Sequence, residues 1–236
     1  MKKFIFVLVF LGQCFALSDK EISSFYEPLI KTQFPKAKLL VGKRQRLENG
    51  FESVELVIKN EGQESSELIF IKDGFIFPDI IDVKNKSSLR EEYEFKKFES
   101  LMADFKKRAQ NSLKNEKQLI SLGDANKPKI YVFSDPMCPH CQAHLARINE
   151  ELKQYQVNFV LVGIFGEPSF NKIAQINTEI KNAKTDEQKL AILKKYYDKN
   201  TKIPQADKKA YDEAVALSEK YAKLGLRSVP TFVELK

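Results

Sequence analysis

Cysteine and histidine are concentrated in one short stretch of the chain, SDPMCPHCQAH at positions 134–144. The cysteines are Cys138 and Cys141, and the histidines, His140 and His144, are the only two in the sequence. Thiols and imidazoles bind metals, and paired thiols form disulfides or exchange them. The stretch therefore raises three possibilities: a metal site, a structural disulfide or a redox pair.

A purely structural disulfide between Cys138 and Cys141 is hard to justify. It would close a very short loop, and the chain-entropy model assigns such a bridge only about 2 kcal/mol. A chain of 236 residues is long enough to bury a hydrophobic core without that help.

Metal binding is also disfavoured by the residues present. A c-type haem attachment requires His directly after the second cysteine, where this chain has Gln142. Zinc could take Cys138, Cys141 and His144, but structural zinc sites usually draw a second ligand pair from elsewhere. No Cys or His follows residue 144, so only a carboxylate could complete the site. We predict no metal and no cofactor, which leaves redox chemistry as the strongest candidate.

The third cysteine, Cys14, lies in a stretch with the pattern of a secretory signal peptide. A basic start precedes an apolar run over residues 4–12, and small residues stand three and one positions before the bond after Ala16. The apolar run is about half of the roughly 20 residues that a membrane-spanning helix needs. Lipidation at Cys14 would place the large Gln13 where a small residue is expected. We predict that residues 1–16 are removed and that the protein is periplasmic, where disulfides can form.

The residues around the cysteine pair predict a strand followed by a helix. A β-branched and aromatic run over residues 129–133 is typical of a buried strand. Beyond Cys138, apolar residues recur at helical spacing, at Leu145, Ile148 and Leu152. Pro139 then falls in the first helical turn, where its missing N–H costs nothing.

This geometry predicts a stabilised thiolate at Cys138. The sulfur would lie beside free backbone N–H groups and the positive end of the helix dipole. His140, when protonated, would add a second positive charge. A thiolate that is stabilised in the reduced protein makes the disulfide form the better oxidant, so we assign redox tuning to Pro139 and His140.

The order strand, Cys-Pro-His-Cys, helix is similar to the opening of a thioredoxin fold, and Pro-His between the cysteines resembles the strongly oxidising DsbA thiol:disulfide oxidoreductases. A second mark is Ser-Val-Pro-Thr at positions 228–231. In thioredoxin-like proteins a cis-proline packs against the redox disulfide and leaves the preceding backbone free to pair with a substrate peptide. The resemblance implies that Cys138 and Cys141 are catalytic and that Val229 and a cis Pro230 bind substrate.

The remaining sequence resembles the dimeric DsbC and DsbG group. We expect a small α+β domain at 17–85, because one helical pattern precedes several short strand-like runs with Asn-Gly and Asp-Gly turns. A one-sided helical pattern follows at 86–117, either an ordinary surface helix or, as the resemblance implies, a linker behind a dimerisation domain. Residues 118–236 would form the thioredoxin-like domain, with an apolar strand at 157–165 and a helical insertion at about 169–225. The predicted fold class is thus mixed α/β.

Charge does not identify a partner. The formal net charge is +7 and 30% of residues are charged, but both signs are interleaved, which is usual for a solvated surface. The sequence has no aromatic-basic motif that would indicate nucleic acid binding.

The predicted function is thiol–disulfide exchange that introduces disulfides into exported proteins with cysteines. A membrane redox partner would reset the pair, and the protein would be a homodimer. Because the two-domain layout resembles DsbC and DsbG, a disulfide isomerase or reductase is a close alternative. A non-catalytic periplasmic chaperone or binding module is an alternative from another class.

Overall fold

The computed structural model describes residues 17–235, so the predicted signal peptide at 1–16, with Cys14, lies outside the described residues. None of the helices in this described part is long and apolar enough to cross a membrane. The chain divides into two compact units, Met1–Phe98 and Glu99–Lys236.

The first unit combines one helix with an antiparallel sheet. Helix α1 (Asp19–Gln33) begins at a capping box, in which Ser18 and Glu21 each accept a hydrogen bond from the other's backbone N–H. The sheet follows chain order, with β1 (Lys38–Arg46), β2 (Glu52–Asn60), β3 (Gln63–Lys72) and β4 (Phe75–Phe77). Its core is made by six buried apolar residues: Ile22, Leu39, Val54, Leu56, Ile69 and Ile71.

Two tight turns connect the last three strands of this sheet. Asp73 and Gly74 both have positive φ, at 52° and 80°, as a two-residue hairpin of the primed type requires. Glu61 and Gly62 make the equivalent turn between β2 and β3, with φ of 48° and 83°. Only the Asp-Gly turn was predicted from the sequence, because Glu is not a characteristic residue at such a position.

A short ladder of β5 (Ile81–Asp82) and β6 (Ser87–Ser88) leads into helix α2 (Leu89–Leu113). The part of α2 up to Phe98 belongs to the first unit, in which Arg90 forms an ion pair with Glu67 and the hydroxyl of Tyr93 donates to Glu55 at 2.6 Å. The later part packs in the core of the second unit. That this helix links a dimerisation domain to the redox domain stays a prediction.

The second unit is built on a four-stranded mixed sheet. Its strands are β7 (Ile120–Leu122), β8 (Lys129–Ser134), β9 (Gln156–Leu161) and β10 (Thr231–Glu234), in the spatial order β10-β8-β9-β7. β8 and β9 are parallel, whereas β10 and β7 pair antiparallel with β8 and β9 respectively.

The helices of this unit are α3 (Pro139–Ala146), α4 (Ile148–Leu152), α5 (Glu167–Glu179), α6 (Asp186–Tyr197) and α7 (Lys208–Lys223), with a 3₁₀ turn at Ile180–Asn182. α5 to α7 confirm the predicted helical insertion between β9 and β10. The helix expected after Cys138 is interrupted at Arg147, whose ψ of 9° departs from helical geometry. The strand predicted over 157–165 is wrong beyond Leu161.

The sheet is covered on both faces, and alternate residues of β8 point to opposite sides. Ile130 and Val132 belong to a core shared with α3, α5 and α6. Phe133 lies on the other face, where its ring meets the edges of Phe105 and Tyr221 at centroid distances of 5.2 and 4.6 Å. The strand that leads to the cysteine pair is therefore held from both sides.

Candidate redox site

Cys138 occupies the N-cap position of α3, and Pro139 is the first helical residue. The Cys138 backbone N–H donates to the Asp135 carbonyl at 3.1 Å, which tightens the turn between β8 and the helix. The Cys138 Sγ lies 3.5 Å from the carbonyl oxygen of Val229. The Val229–Pro230 peptide bond is cis. The fold thus brings Cys138 and Pro139 together with Val229 and Pro230, which lie about 90 positions later in the chain.

Both cysteines are buried, Cys138 with 3% and Cys141 with 0% of its surface exposed, although Pro139 and His140 between them face solvent. The polar contacts of the two sulfurs differ. The Cys141 Sγ accepts a hydrogen bond from the Asp135 backbone N–H at 3.4 Å. Burial nevertheless raises the pKa of the Cys141 thiol to about 12, against the smaller opposing effects of this N–H and of the Ser134 hydroxyl. Cys141 is thus a protonated thiol at neutral pH.

Asp135 is a fully buried carboxylate that organises the loops around the cysteines. One oxygen accepts from the Met137 backbone N–H at 2.7 Å, and the other accepts from the N–H groups of Ile164 and Phe165 at 2.6 and 3.2 Å. The Ser169 hydroxyl donates to both oxygens. Sequence reasoning assigned no role to Asp135, although an acidic residue at the end of an apolar strand was a usable signal.

The contacts of Asp135 explain why β9 ends early. The N–H groups of Ile164 and Phe165 turn toward its carboxylate, so they cannot continue the ladder with β8. Gly163 lies in the same bend, where a Cβ atom would approach the Phe170 ring to 2.4 Å. A side chain at position 163 would therefore displace α5 or the loop.

A second buried polar contact lies behind the cysteines. Tyr197, the last residue of α6, donates its hydroxyl hydrogen to Ser134 Oγ at 2.7 Å. Burial raises the pKa of Tyr197 well above its usual range. Nothing in the sequence connected these residues, because 63 positions separate them.

His144 does not join the cysteines. Its Nε2 lies 2.9 Å from a carboxylate oxygen of Glu151, and its ring meets the edge of Phe232 at a centroid distance of 5.1 Å. Over residues 17–235 there is no cluster of three or more His, Cys, Asp and Glu side chains that could hold a metal ion.

A cleft of about 380 Å³ opens beside Met137, next to the N-terminal end of the Cys138 helix. It combines apolar and charged side chains: Met137, Glu167, Pro168, Lys172, Lys199 and Ile203 are among those that line it.

Replacing Asp135 tests its structural role. We expect Asp135→Ala to lower the free energy of unfolding by at least about 3 kcal/mol, because several buried donors lose their acceptor. Asp135→Asn should cost less, since one acceptor oxygen remains. Urea denaturation of the purified variants measures both.

Asp124→Ala is the matched control for Asp135→Ala. Asp124 also accepts a hydrogen bond from the backbone N–H two residues later, that of Asn126, at 2.9 Å, but the Asp124 side chain is exposed. We expect a loss below about 1 kcal/mol, because water replaces the lost acceptor. Equal losses at positions 124 and 135 would contradict the role assigned to Asp135.

The raised pKa of Cys141 predicts the pH at which its thiolate appears. The ¹³Cβ chemical shift of a labelled cysteine reports thiol ionisation without requiring a reagent to reach the buried sulfur. In a Cys138→Ser variant, the Cys141 signal should keep the shift of a thiol from pH 7 to 10, because burial raises the pKa of Cys141 to about 12. Urea-unfolded protein is the control, with a transition near about pH 8.5, and the same transition in folded protein would contradict the prediction.

Comparisons with known proteins agree with the predicted fold. The family model of the thioredoxin-like domain matches residues 115–236, just over half of the chain. Helicobacter pylori DsbG is 23% identical over 88% of this chain and 97% of its own, with a TM-score of 0.52. A linker-deletion form of Proteus mirabilis ScsC is 18% identical over 58% of this chain and 74% of its own, with a TM-score of 0.47. The search of curated proteins returns no match.

The solved structures extend the likeness beyond the matched domain. The match to DsbG covers 88% of this chain, so the DsbG structure also has a counterpart for residues that precede the thioredoxin-like domain at 115–236. The predicted fold class, a mixed α/β chain whose thioredoxin-like domain carries a helical insertion, is confirmed. With its family match, its mixed sheet and its cysteine pair at the start of α3, the chain belongs to the family of thioredoxin-like domains.

Proposed function

We propose that this protein carries out thiol–disulfide exchange through Cys138 and Cys141. The observation that carries the proposal is the placement of the Cys138 sulfur at a helix N-terminus, 3.5 Å from the Val229 carbonyl, with Cys141 buried behind it. The thioredoxin-like domain supports exchange chemistry in general. A structural disulfide would have no need of a helix N-terminus and a backbone carbonyl beside one of its sulfurs.

Backbone atoms of Val229 provide the means to place a substrate. A peptide that adds to the edge formed by this residue would hydrogen-bond its backbone in an extended conformation. Because the Val229 carbonyl lies beside the Cys138 Sγ, a cysteine of that peptide would arrive at the same sulfur. Met137 and the cleft next to it would take a neighbouring side chain.

In the oxidising direction, a substrate thiolate attacks the Cys138 sulfur of the enzyme disulfide. A mixed disulfide forms between substrate and Cys138, and Cys141 leaves with the electron pair of the broken bond. A second substrate thiolate then attacks the mixed disulfide, so that the substrate is oxidised and both enzyme cysteines are reduced. A membrane redox partner would remove the two electrons and restore the enzyme disulfide.

We propose the oxidising direction as the physiological one. Cys138 lies at the N-terminus of α3, and Pro139 and His140 follow it in the first turn and face solvent. A helix N-terminus stabilises a thiolate, which favours the reduced pair and therefore makes the disulfide oxidising. The exchange partners are exported proteins with cysteines, in keeping with a periplasmic location.

The reduction potential separates the oxidase from the isomerase or reductase. After equilibration in glutathione buffers and acid trapping of thiols, we expect a Cys138–Cys141 potential near the oxidising end of the thioredoxin-like range, about −120 mV. His140→Leu should shift the potential toward reducing values, because it replaces a polar imidazole between the cysteines by an apolar side chain. A wild-type potential near −270 mV, the value of a reductant such as thioredoxin, would contradict the proposed direction.

Cysteine variants separate exchange from chaperone activity. Cys138→Ser should abolish oxidation of a reduced model protein such as ribonuclease, because the attacked sulfur is absent. Cys141→Ser should also abolish it. Incubated with ribonuclease that carries scrambled disulfides, Cys141→Ser should form a mixed disulfide, visible on non-reducing gels, because the Cys138 thiolate attacks a substrate disulfide and no second enzyme cysteine displaces the substrate. A Cys138→Ser protein that still prevents aggregation and supports oxidative folding as wild type does would indicate the non-catalytic binding module instead.

We further propose that the protein is a homodimer joined through its first unit. Four large apolar side chains of α1 and β1 and their connection are about half exposed: Phe25 at 56%, Leu29 at 55%, Phe34 at 49% and Leu40 at 49%. Phe25 and Leu29 are one helical turn apart and share a face. Exposed clusters of this kind mark interaction sites.

Light scattering tests the dimer. We expect the wild-type protein to have twice the mass of one chain, and the double variant with Phe25→Asp and Leu29→Asp to have the mass of one chain, because the charges face an apolar interface. Lys20→Asp, on the same helix, is the charge-change control and should remain dimeric. A wild-type mass of one chain would overturn this part of the proposal.

A further inference from the structure

The cleft beside Met137 has a buried lysine at its inner end. Lys172, on α5, has only 4% of its surface exposed, whereas every other residue that lines the cleft is exposed or partly exposed. The Lys172 Nζ donates a hydrogen bond to the backbone carbonyl of Asp198 at 2.8 Å. The mechanism described so far uses neither this ammonium group nor the second lysine of the cleft, Lys199.

The ammonium group of Lys172 has more donors than acceptors around it. It carries three N–H groups, and within residues 17–235 the Asp198 carbonyl is the acceptor found for them. Burial lowers the pKa of Lys172, an effect that the carboxylates of Asp198 and Asp135 oppose only in part. A buried ammonium group with unpaired donors is costly. A ligand that brought a carboxylate oxygen to this nitrogen would therefore be stabilised.

The side chains that line the cleft favour an acidic group of modest length. Two lysines against one glutamate, Glu167, leave the lining with a net positive charge. Met137 and Ile203 add apolar surface for methylene groups. A basic side chain would meet Lys172 with like charge, and a wholly apolar one would leave the Lys172 donors unpaired. Aspartate or glutamate matches both the charged and the apolar parts of the lining.

Hydrogen bonds fix the two segments that form the cleft. The Asn171 side-chain oxygen, on α5, accepts from the Ala206 backbone N–H at 3.0 Å. The contact between Lys172 and the Asp198 carbonyl joins the same helix to the start of the loop after α6. Because both ends of this loop are tied to α5, a side chain that enters the cleft has little of the protein to order.

We propose that this cleft selects substrates whose reacting cysteine has an acidic neighbour, with Lys172 as the specificity-determining residue that binds the acidic side chain. Met137 lines the cleft and directly precedes Cys138, so a peptide whose cysteine meets Cys138 has its adjacent side chains beside the cleft. Lys199 adds a weaker attraction at the exposed rim. This inference rests on the thiol–disulfide exchange proposed above and names its substrate class.

The test is the oxidation of capped peptides with two cysteines by the oxidised protein. The first cysteine is flanked on both sides by Glu, Gln, Lys or Leu, and the second by glycines. One peptide thiolate attacks the Cys138 sulfur, and the electron pair of the Cys138–Cys141 bond leaves with Cys141. The second peptide thiolate then displaces Cys138. The peptide gains a disulfide, and the two enzyme thiolates take up protons from solvent. Acid quenching and mass spectrometry give the second-order rate constants.

The decisive quantity is the ratio of the Glu-peptide rate to the Gln-peptide rate, compared between the wild type and Lys172→Met. This comparison cancels the effect of glutamate on the reactivity of the peptide's own thiol. We expect the ratio to be about fivefold higher in the wild type, as for one hydrogen bond between peptide and protein. Lys172→Met keeps most of the side-chain volume, and Lys172→Arg, which keeps the charge, should retain most of the preference.

Lys181→Met is the matched control. Lys181 is exposed in the 3₁₀ turn that follows α5 and does not line the cleft, so this variant loses the same charge elsewhere. It should keep the wild-type ratio, and an equal fall in Lys172→Met and Lys181→Met would show long-range attraction and overturn the inference. Reduction by dithiothreitol, which carries no side chain for the cleft, should proceed at the same rate in all variants.

The rates also show which side chain the cleft takes. A Glu-to-Gln ratio that Lys172→Met leaves unchanged, or fastest oxidation of the Leu peptide, would refute the selection of acidic neighbours. If Lys172→Met does not fold, Lys199→Glu at the exposed rim decides: it should lower the Glu-to-Gln ratio, and an unchanged ratio counts against the inference. Equal rates for the four peptides refute the inference alone, whereas a wild-type disulfide that reacts with neither peptides nor dithiothreitol refutes the proposed function.

Discussion

The buried carboxylate of Asp135 is the constraint on which the site depends. Asp135 has no solvent-exposed surface, so its carboxylate oxygens must accept hydrogen bonds from groups within the protein. It takes backbone N–H groups from the loop before the cysteines and from the loop after β9, and the Ser169 hydroxyl from α5. These contacts tie the turn that presents Cys138 to the start of the helical insertion. The carbonyl and amide of the same residue contact Cys138 and Cys141 respectively.

The cysteine pair is asymmetric because α3 starts at one cysteine and enters the core before the other. Both cysteines belong to the apolar core of this unit. Cys138 precedes the first helical residue and lies against the Val229 carbonyl, whereas Cys141, one turn later, is completely enclosed and accepts from the Asp135 N–H. The two sulfurs thus have different polar neighbours. For the proposed exchange, this difference separates the sulfur that meets the substrate from the sulfur that remains inside.

The helical insertion has a larger part in this arrangement than its position in the sequence suggests. α5 supplies the Ser169 hydroxyl to Asp135, and α6 supplies the Tyr197 hydroxyl to Ser134. The two residues that receive these hydrogen bonds, Ser134 at the end of β8 and Asp135 directly after it, lead into the turn that carries the cysteines. A buried sheet covered by helices on both faces has few polar groups, and the insertion provides the partners that the end of β8 requires.

The sequence by itself determined the elements whose signals are local. The apolar run before the cysteines, Pro139 at the start of a helix, the Asp-Gly hairpin and the helical periodicity beyond residue 169 each depend on neighbouring residues, and each has its counterpart in the structure. The spacing of Cys138 and Cys141 also pointed to redox chemistry before any fold was known.

Only the tertiary structure decided the contacts between distant segments. The early end of β9, the burial of Asp135 and the meeting of Ser134 with Tyr197 depend on which groups lie together after folding, and no periodicity records such contacts. The approach of Val229 to Cys138 across 91 positions was implied by the family resemblance and by no local pattern. Local patterns report which backbone conformation each segment prefers, whereas the charge state of a buried thiol depends on every group packed around it.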